Sequence, residues 1–169
     1  MSRRRAAQKR VVLPDSKYQN ITISKFINSL MYEGKRSVAE KIFYDAIENS
    51  AAKLSVEPLE AFSQIIDNVK PVMEVRSRRV GGATYQVPTN VSPHRSLALA
   101  IRWTIAAARK RAGRTMHDKL SAEFIEAFGG KGAAVKKRED THKMADSNMA
   151  FAHYAFVGKK NNNNNVGAR

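Results

Sequence analysis

Between residues 71 and 88 the hydrophobic period of this chain changes from helical to alternating and back. That interruption decides what the chain can fold into. Pro71-Val72-Met73-Glu74-Val75-Arg76-Ser77-Arg78-Arg79 alternates, and so does Ala83-Thr84-Tyr85-Gln86-Val87. A period of two sends successive side chains to opposite faces of a strand. Gly81-Gly82 divides the two runs, and glycine takes the positive φ of a tight hairpin turn without steric cost. Pro88 has no N–H to donate, so it ends the second strand or marks its free edge. A lone two-stranded ribbon is barely stable in water, so this one must lean on the helices around it or on a partner. The expected fold class is mainly α: a single helical domain of about six helices with a protruding two-stranded β-hairpin. A basic N-terminal arm (1–18) and a flexible Asn-rich tail (157–169) are expected to flank a helical domain (19–156), with the hairpin at about 72–88.

The helical segments follow from spacing and stop signals. Ile23, Phe26, Ile27 and Leu30 share a face over residues 21–32, and Gly34 is expected to stop that helix. Ser37-x-x-Glu40 has the form of a capping box, in which hydroxyl and carboxylate satisfy orphan N–H groups at a helix start. The helix it opens carries Ile42, Phe43, Ala46, Ile47 and Leu54 on one face. From Pro58 to Lys70, Leu59, Phe62, Ile65, Ile66 and Val69 point inward, with the proline in the first turn where it is tolerated. Ser92-Pro93 starts a long helix to about Arg111, with a capping hydroxyl and a proline at the first position. Another helix runs from Thr115 to Phe128 and is closed by Gly129-Gly130; the last runs from about Ala133 past Asn148. Trp103 and most phenylalanines belong to the core.

Charge narrows the function. The chain has 30 Lys and Arg against 15 Asp and Glu. Residues 1–10 hold Arg3, Arg4, Arg5, Lys9 and Arg10 and no acid. From Val75 to His117 there is again no acid, yet Arg76, Arg78, Arg79, Arg95, Arg102, Arg109, Lys110, Arg111 and Arg114 all fall there. The rest of the chain is balanced, 16 bases to 15 acids. A soluble surface needs no such segregation, whereas a polyanion-binding surface does, because phosphate neutralisation and counterion release supply most of its affinity.

Other classes lack support. No apolar run approaches the roughly 20 residues of a membrane span, and the most apolar stretch, Leu97 to Ala108, is cut by Arg102. No apolar segment follows the basic first ten residues, so a secretory signal is not expected, while a very short organelle presequence, also Arg-rich and acid-poor, stays open. The absence of cysteine excludes disulfides and thiolate metal sites. His94, His117, His142 and His153 show no metal spacing, and Glu139-x-x-His142 is half of a di-iron motif without its second copy. Lys131 follows Gly129-Gly130 without a phosphate-loop pattern. No catalytic residue, metal, cofactor or small-molecule substrate is therefore expected.

Arg95, Arg102 and Arg109 are seven residues apart and form one stripe on their helix, with Leu97, Ile101, Thr104, Ile105 and Ala108 assigned to the opposite side. In the hairpin, Arg76 and Arg78 share a face, Arg79 enters the turn, and Tyr85 offers a ring that either stacks on a base or packs on a neighbouring helix. Lys136 and Lys137 add charge to the last helix. The candidate RNA contacts are these nine bases of the 75–117 block except Arg79, the five bases of the arm, and Lys136 and Lys137. The competing class is a basic DNA-binding protein, a nucleoid component or regulator. Such a protein offers one recognition helix or ribbon to a groove, whereas here the arm, hairpin, stripe and last helix are all basic, which suits a folded RNA junction.

Several segments resemble the S-seven family of small-subunit ribosomal proteins, bacterial type. Val75-Arg-Ser-Arg-Arg-Val-Gly-Gly-Ala-Thr-Tyr-Gln-Val-Pro88 is similar to that family's hairpin. Leu97-Ala-Leu-Ala-Ile-Arg-Trp103 and Ala106-Ala-Ala-Arg-Lys-Arg111 resemble its next helix. Ala134-Val-Lys-Lys-Arg-Glu-Asp-Thr-His-Lys-Met-Ala145 and Ala150-Phe-Ala-His-Tyr154 resemble its last, and Ser2-Arg-Arg-Arg5 and Leu13-Pro-Asp15 its arm. The resemblance implies a ribosome-bound, cytoplasmic protein that binds small-subunit ribosomal RNA and nucleates assembly of the subunit head. It implies a hairpin tip (Arg78, Arg79, Gly81, Gly82, Tyr85) near the exit-site tRNA and the mRNA exit path, with small-subunit proteins nine and eleven as neighbours. One departure is local: the family's His-Tyr-Arg-Trp is His153-Tyr154-Ala155-Phe156 here, and the Asn-rich tail follows.

Overall fold

The structure, a computed structural model, describes residues 10–155. The expectations for Arg3, Arg4, Arg5, Lys9 and the 157–169 tail lie outside the described residues. In chain order the elements are α1 (Ile21–Leu30), α2 (Arg36–Leu54), α3 (Pro58–Val69), β1 (Met73–Val80), β2 (Ala83–Asn90), α4 (Pro93–Lys110), α5 (Met116–Phe128) and α6 (Ala133–Ser147), with a 3-10 helix over Met149–Ala155. The mainly α reading with one hairpin is thus the observed architecture.

Four helices meet at four rings. Phe26 of α1, Phe43 of α2, Phe62 of α3 and Phe124 of α5 are fully buried, and every pair among them lies 5.3–6.3 Å apart between centroids, tilted or edge-on. Edge-to-face pairing of this kind adds about 0.5–1.5 kcal/mol per pair beyond area burial. Ile23, Ile27, Leu30, Ile47, Ile65, Ile66 and Val69 complete the core at the positions their spacing predicted. Ile101, Thr104, Ile105 and Ala108 of α4 are buried as expected. Leu97 is only half buried and lines the same cleft as Arg102, so the division of α4 into two opposite sides is less sharp than its periodicity suggested.

Local stop signals fare less well than periodicity. The Ser37–Glu40 capping box does not form: α2 begins at Arg36 after Lys35, with no side-chain cap, and the Glu40 carboxylate takes the Arg36 Nε–H at 2.8 Å instead. At α4, Ser92 is the N-cap residue but its hydroxyl makes no capping bond, while Pro93 sits at the first position as expected. The first helix ends at Leu30, before Gly34, which lies in the following turn with φ +74°. Asn20 caps that helix by accepting from the N–H groups of Thr22 (2.7 Å) and Ile23 (3.4 Å).

The hairpin pairs Met73 with Asn90 through Val80 with Ala83 around a two-residue turn. Gly81 (φ +57°) and Gly82 (φ +90°) both occupy the left-handed region, the requirement of a type I′ turn. Counting outward from Val80–Ala83, Pro88 falls opposite Val75 at a position without ladder hydrogen bonds. The strand therefore runs through the proline to Asn90, and of the two readings only the free-edge one holds. The ribbon leans on α6 and on the 3-10 helix. The Tyr85 ring stacks on Tyr154 at 4.9 Å and lies 5.4 Å from Phe151. At its base the Val72 N–H donates to His142 Nε2 (3.0 Å), and the Ser96 hydroxyl donates to the Pro71 carbonyl (2.8 Å).

Candidate nucleic-acid interface

Glu74, next to the acid-free block, organises the junction of hairpin and α4. Its side chain is nearly buried, and one carboxylate accepts from two arginines. Arg76 Nε donates to Oε1 at 2.6 Å, and Arg95 Nε lies 2.8 Å from both Oε1 and Oε2. Burial pushes the Glu74 carboxyl up, but the hydrogen bonds from Arg95 and Arg76 outweigh it and hold it below the ordinary carboxylate range. Both guanidinium groups remain about half exposed, 55% for Arg76 and 48% for Arg95.

Farther along α4 a cleft of about 520 Å³ opens against α1. Leu97, Ile101 and Ile105 form its apolar floor, and Lys25, His94, Arg102 and Arg109 stand around it. Arg102 is exposed and makes no hydrogen bond or ion pair among the described residues. Arg109 bends over the Tyr32 ring, 4.2 Å from the centroid, and donates from Nη2 to the Leu30 carbonyl at 3.2 Å. Those bonds tie the arginine to the end of α1 while its charge stays at the cleft.

Arg111 turns inward instead. Its Nη1 donates to Glu123 Oε2 (2.6 Å) and Glu126 Oε2 (2.8 Å), and Nη2 to Glu126 Oε1. Those hydrogen bonds, led by the one to Glu126, raise the guanidinium pKa above its already high ordinary value, and the Glu126 carboxyl is lowered by the same pairing. Glu123 is fully buried, and its other oxygen accepts the Ala134 N–H at 2.9 Å, in the first turn of α6. The chain enters that helix at Gly132 with φ +98°, where a Cβ would lie 3.2 Å from Glu123 Oε1. This arrangement sets α6 against α5 and the end of α4.

The structure thus brings Arg76 and Arg95 together, and Arg102 beside Arg109, while Arg111 is committed to acids. Arg10, Arg79, Lys110, Arg114, Lys136 and Lys137 are exposed. Arg79 lies on the face of β1 opposite Arg76 and Arg78, whose cross-strand neighbours are Val87 and Tyr85. Tyr85 resolves toward packing, against the 3-10 helix rather than a free platform. Spacing missed Glu74, Lys25, His94 and Tyr32. For Glu74 a signal existed, since it is the last acid before the block that has none. The entry to the body was also missed: buried Asp15 accepts from the N–H groups of Lys17 and Tyr18 (3.1 Å each) and from the Tyr44 hydroxyl (2.7 Å). Among the described residues no cluster of three His, Asp or Glu side chains could hold a metal ion, and no helix is long and apolar enough to cross a membrane.

A helical body with a braced hairpin, cationic along one helix and around one cleft, defines a structural protein that binds a polyanion. The family model described as "Ribosomal protein S7p/S5e" matches residues 2–149. The chain is 60% identical to the small ribosomal subunit protein uS7 of Paracoccus denitrificans over 156 residues, covering 92% of this chain and 100% of that relative. It is 58% identical, over the same shares, to the proteins of that name from Rhodospirillum rubrum and Rhodobacter capsulatus. The chain belongs to the S7p/S5e family of ribosomal proteins. It is a structural constituent of the ribosome, not an enzyme, and acts in translation as an RNA-binding, ribosome-bound protein of the cytoplasm.

Proposed function

We propose that this chain is a primary binder of small-subunit ribosomal RNA that nucleates assembly of the subunit head. Its hairpin tip lies near the exit-site tRNA and the mRNA exit path, and its protein neighbours are small-subunit proteins nine and eleven. The observation that carries this reading is the fate of the acid-free block. It supplies the outer face of α4, the loop that follows it and the hairpin tip, where Arg79, Arg102, Lys110 and Arg114 stand exposed without an ion pair among the described residues. Unneutralised guanidinium and ammonium groups on rigid elements are what backbone phosphates require. The arm (Arg3, Arg4, Arg5, Lys9, Arg10) and Lys136 and Lys137 of α6 belong to the same reading as further phosphate contacts.

The test is filter binding of full-length protein to a small-subunit ribosomal RNA transcript across salt, with duplex DNA as competitor. Arg102→Glu should lower RNA affinity by about tenfold or more, and the salt slope should fall by about 0.7–0.9 for every phosphate no longer neutralised. Lys53→Glu makes the same charge change at an exposed position at the end of α2 and should bind nearly as wild type. Equal losses in the two variants, or full displacement by duplex DNA, would overturn the reading.

A further inference from the structure

We infer that Glu74 is the positioning residue of a phosphodiester-binding fork formed by Arg76 and Arg95. The inference rests on the ribosomal RNA reading above and names the chemistry of one contact within it. An acid at a polyanion interface repels the ligand, so its presence there calls for a countervailing role. Glu74 lies at the hairpin base, buried to 7% exposure, and both of its oxygens are taken up by guanidinium N–H groups. The arginines come from different elements, Arg76 from β1 and Arg95 from the first turn of α4. Two cations sharing one carboxylate leave a net charge of +1, held at a fixed place.

The donors left over define the ligand. Arg95 engages Glu74 through Nε, and its Nη1 and Nη2 make no hydrogen bond among the described residues. Arg76 uses Nε and Nη2 and keeps Nη1. A planar guanidinium with free N–H groups matches the non-bridging oxygens of a phosphate. Without the carboxylate, the two side chains would repel each other and recover their rotamer freedom, which for arginine is large. A stacked base fits less well, because the nearby ring, Tyr85, is already covered by Tyr154. The fork also spans hairpin and helix, so a phosphate seated on it would tie the two RNA-binding elements together.

The decisive feature is the sign of one substitution. Glu74→Gln makes the chain more positive by one charge. If Glu74 were merely an acid near RNA, the variant would bind a small-subunit ribosomal RNA transcript more tightly. The fork predicts about tenfold weaker binding, since charge-assisted hydrogen bonds of this kind carry that much. The salt slope should also be lower, by about 0.7–0.9 for each phosphate that the fork no longer holds. Glu57→Gln, the same charge change at the exposed start of α3, should bind as wild type or slightly better.

Arg95→Lys keeps a cation beside Glu74 but removes the planar fork, so it should also weaken binding. In a double-mutant cycle the two effects should not add. This variant carries the test if Glu74→Gln lowers the melting temperature, because the hairpin base keeps its ion pair. Unchanged or tighter binding by Glu74→Gln overturns the proposal and leaves the ribosomal RNA reading standing. So does wild-type binding by Arg95→Lys, which would make Glu74 a structural anchor only. A wild-type chain that showed no salt-dependent binding to the transcript would instead remove the reading itself.

Discussion

Arg111→Ala should destabilise the protein far more than it weakens RNA binding. The reason is Glu123, which is 0% exposed and accepts one hydrogen bond from Arg111 Nη1 and one from the Ala134 N–H. Removing the arginine leaves a carboxylate buried with half its partners. Deleting one member of a buried ion pair costs about 3–5 kcal/mol. The remaining N–H donor and the 25% exposure of the Arg111 side chain place this case near the lower end, about 3 kcal/mol. The Arg111–Glu126 pair adds little, because Glu126 is substantially exposed. For a domain of this size about 3 kcal/mol corresponds to a fall of roughly 6–12 °C in Tm. A thermal melt followed by circular dichroism at neutral pH measures it. Adding Glu123→Gln should recover most of the stability, since the amide oxygen still accepts the Ala134 N–H and no charge is left buried. A destabilisation below about 1 kcal/mol, the range of an exposed pair, or no recovery in the double variant, would refute the buried-carboxylate argument.

Two further outcomes follow from the hairpin. Because the folded Glu74 carboxyl lies below its ordinary 4.5, its stabilising contribution is complete above that pH and is lost as pH falls below it; the near-ultraviolet signal of Tyr85 and Tyr154 should therefore loosen in that acid window. Replacing Arg79–Thr84 with Asn-Gly closes the turn on the natural Arg78–Tyr85 pair and should leave ribosomal RNA binding and subunit assembly intact, while the resulting ribosomes release exit-site tRNA faster; failure to assemble, or wild-type tRNA release, would count against a separate role for the tip.

What was legible in the sequence was whatever burial writes into a local period. The four core phenylalanines, the apolar faces of α1 and α3 and the strand alternation around Gly81-Gly82 all report which side of an element meets the interior. Caps were less legible, because a capping motif states a possibility that competing partners can remove. Glu40 had Arg36 four residues earlier on the same helix, and that ion pair took the carboxylate the box required. Asn20, which no capping motif marked, caps α1 with its side chain.

Charge shows the same limit more sharply, and it bears on function. A window without acids says nothing about acids that the fold brings in from outside it. Glu74 lies just before the 75–117 block, yet its partner Arg95 is 21 residues away, and Arg111 finds Glu123 and Glu126 at separations of 12 and 15. Arg76, Arg95 and Arg111 are therefore paired with acids, and they differ in consequence. Arg111 is folded against a buried acid and serves the packing of α6. Arg76 and Arg95 keep half their surface and several N–H groups, so the pairing orients them without consuming them. Arg79, Arg102, Lys110 and Arg114 are left exposed and unpaired among the described residues. Linear charge counts would rank all of these alike. Substituting them one at a time should instead separate them: loss of stability at Arg111, loss of one placed phosphate at Arg95, and loss of affinity and salt slope alone at Arg102.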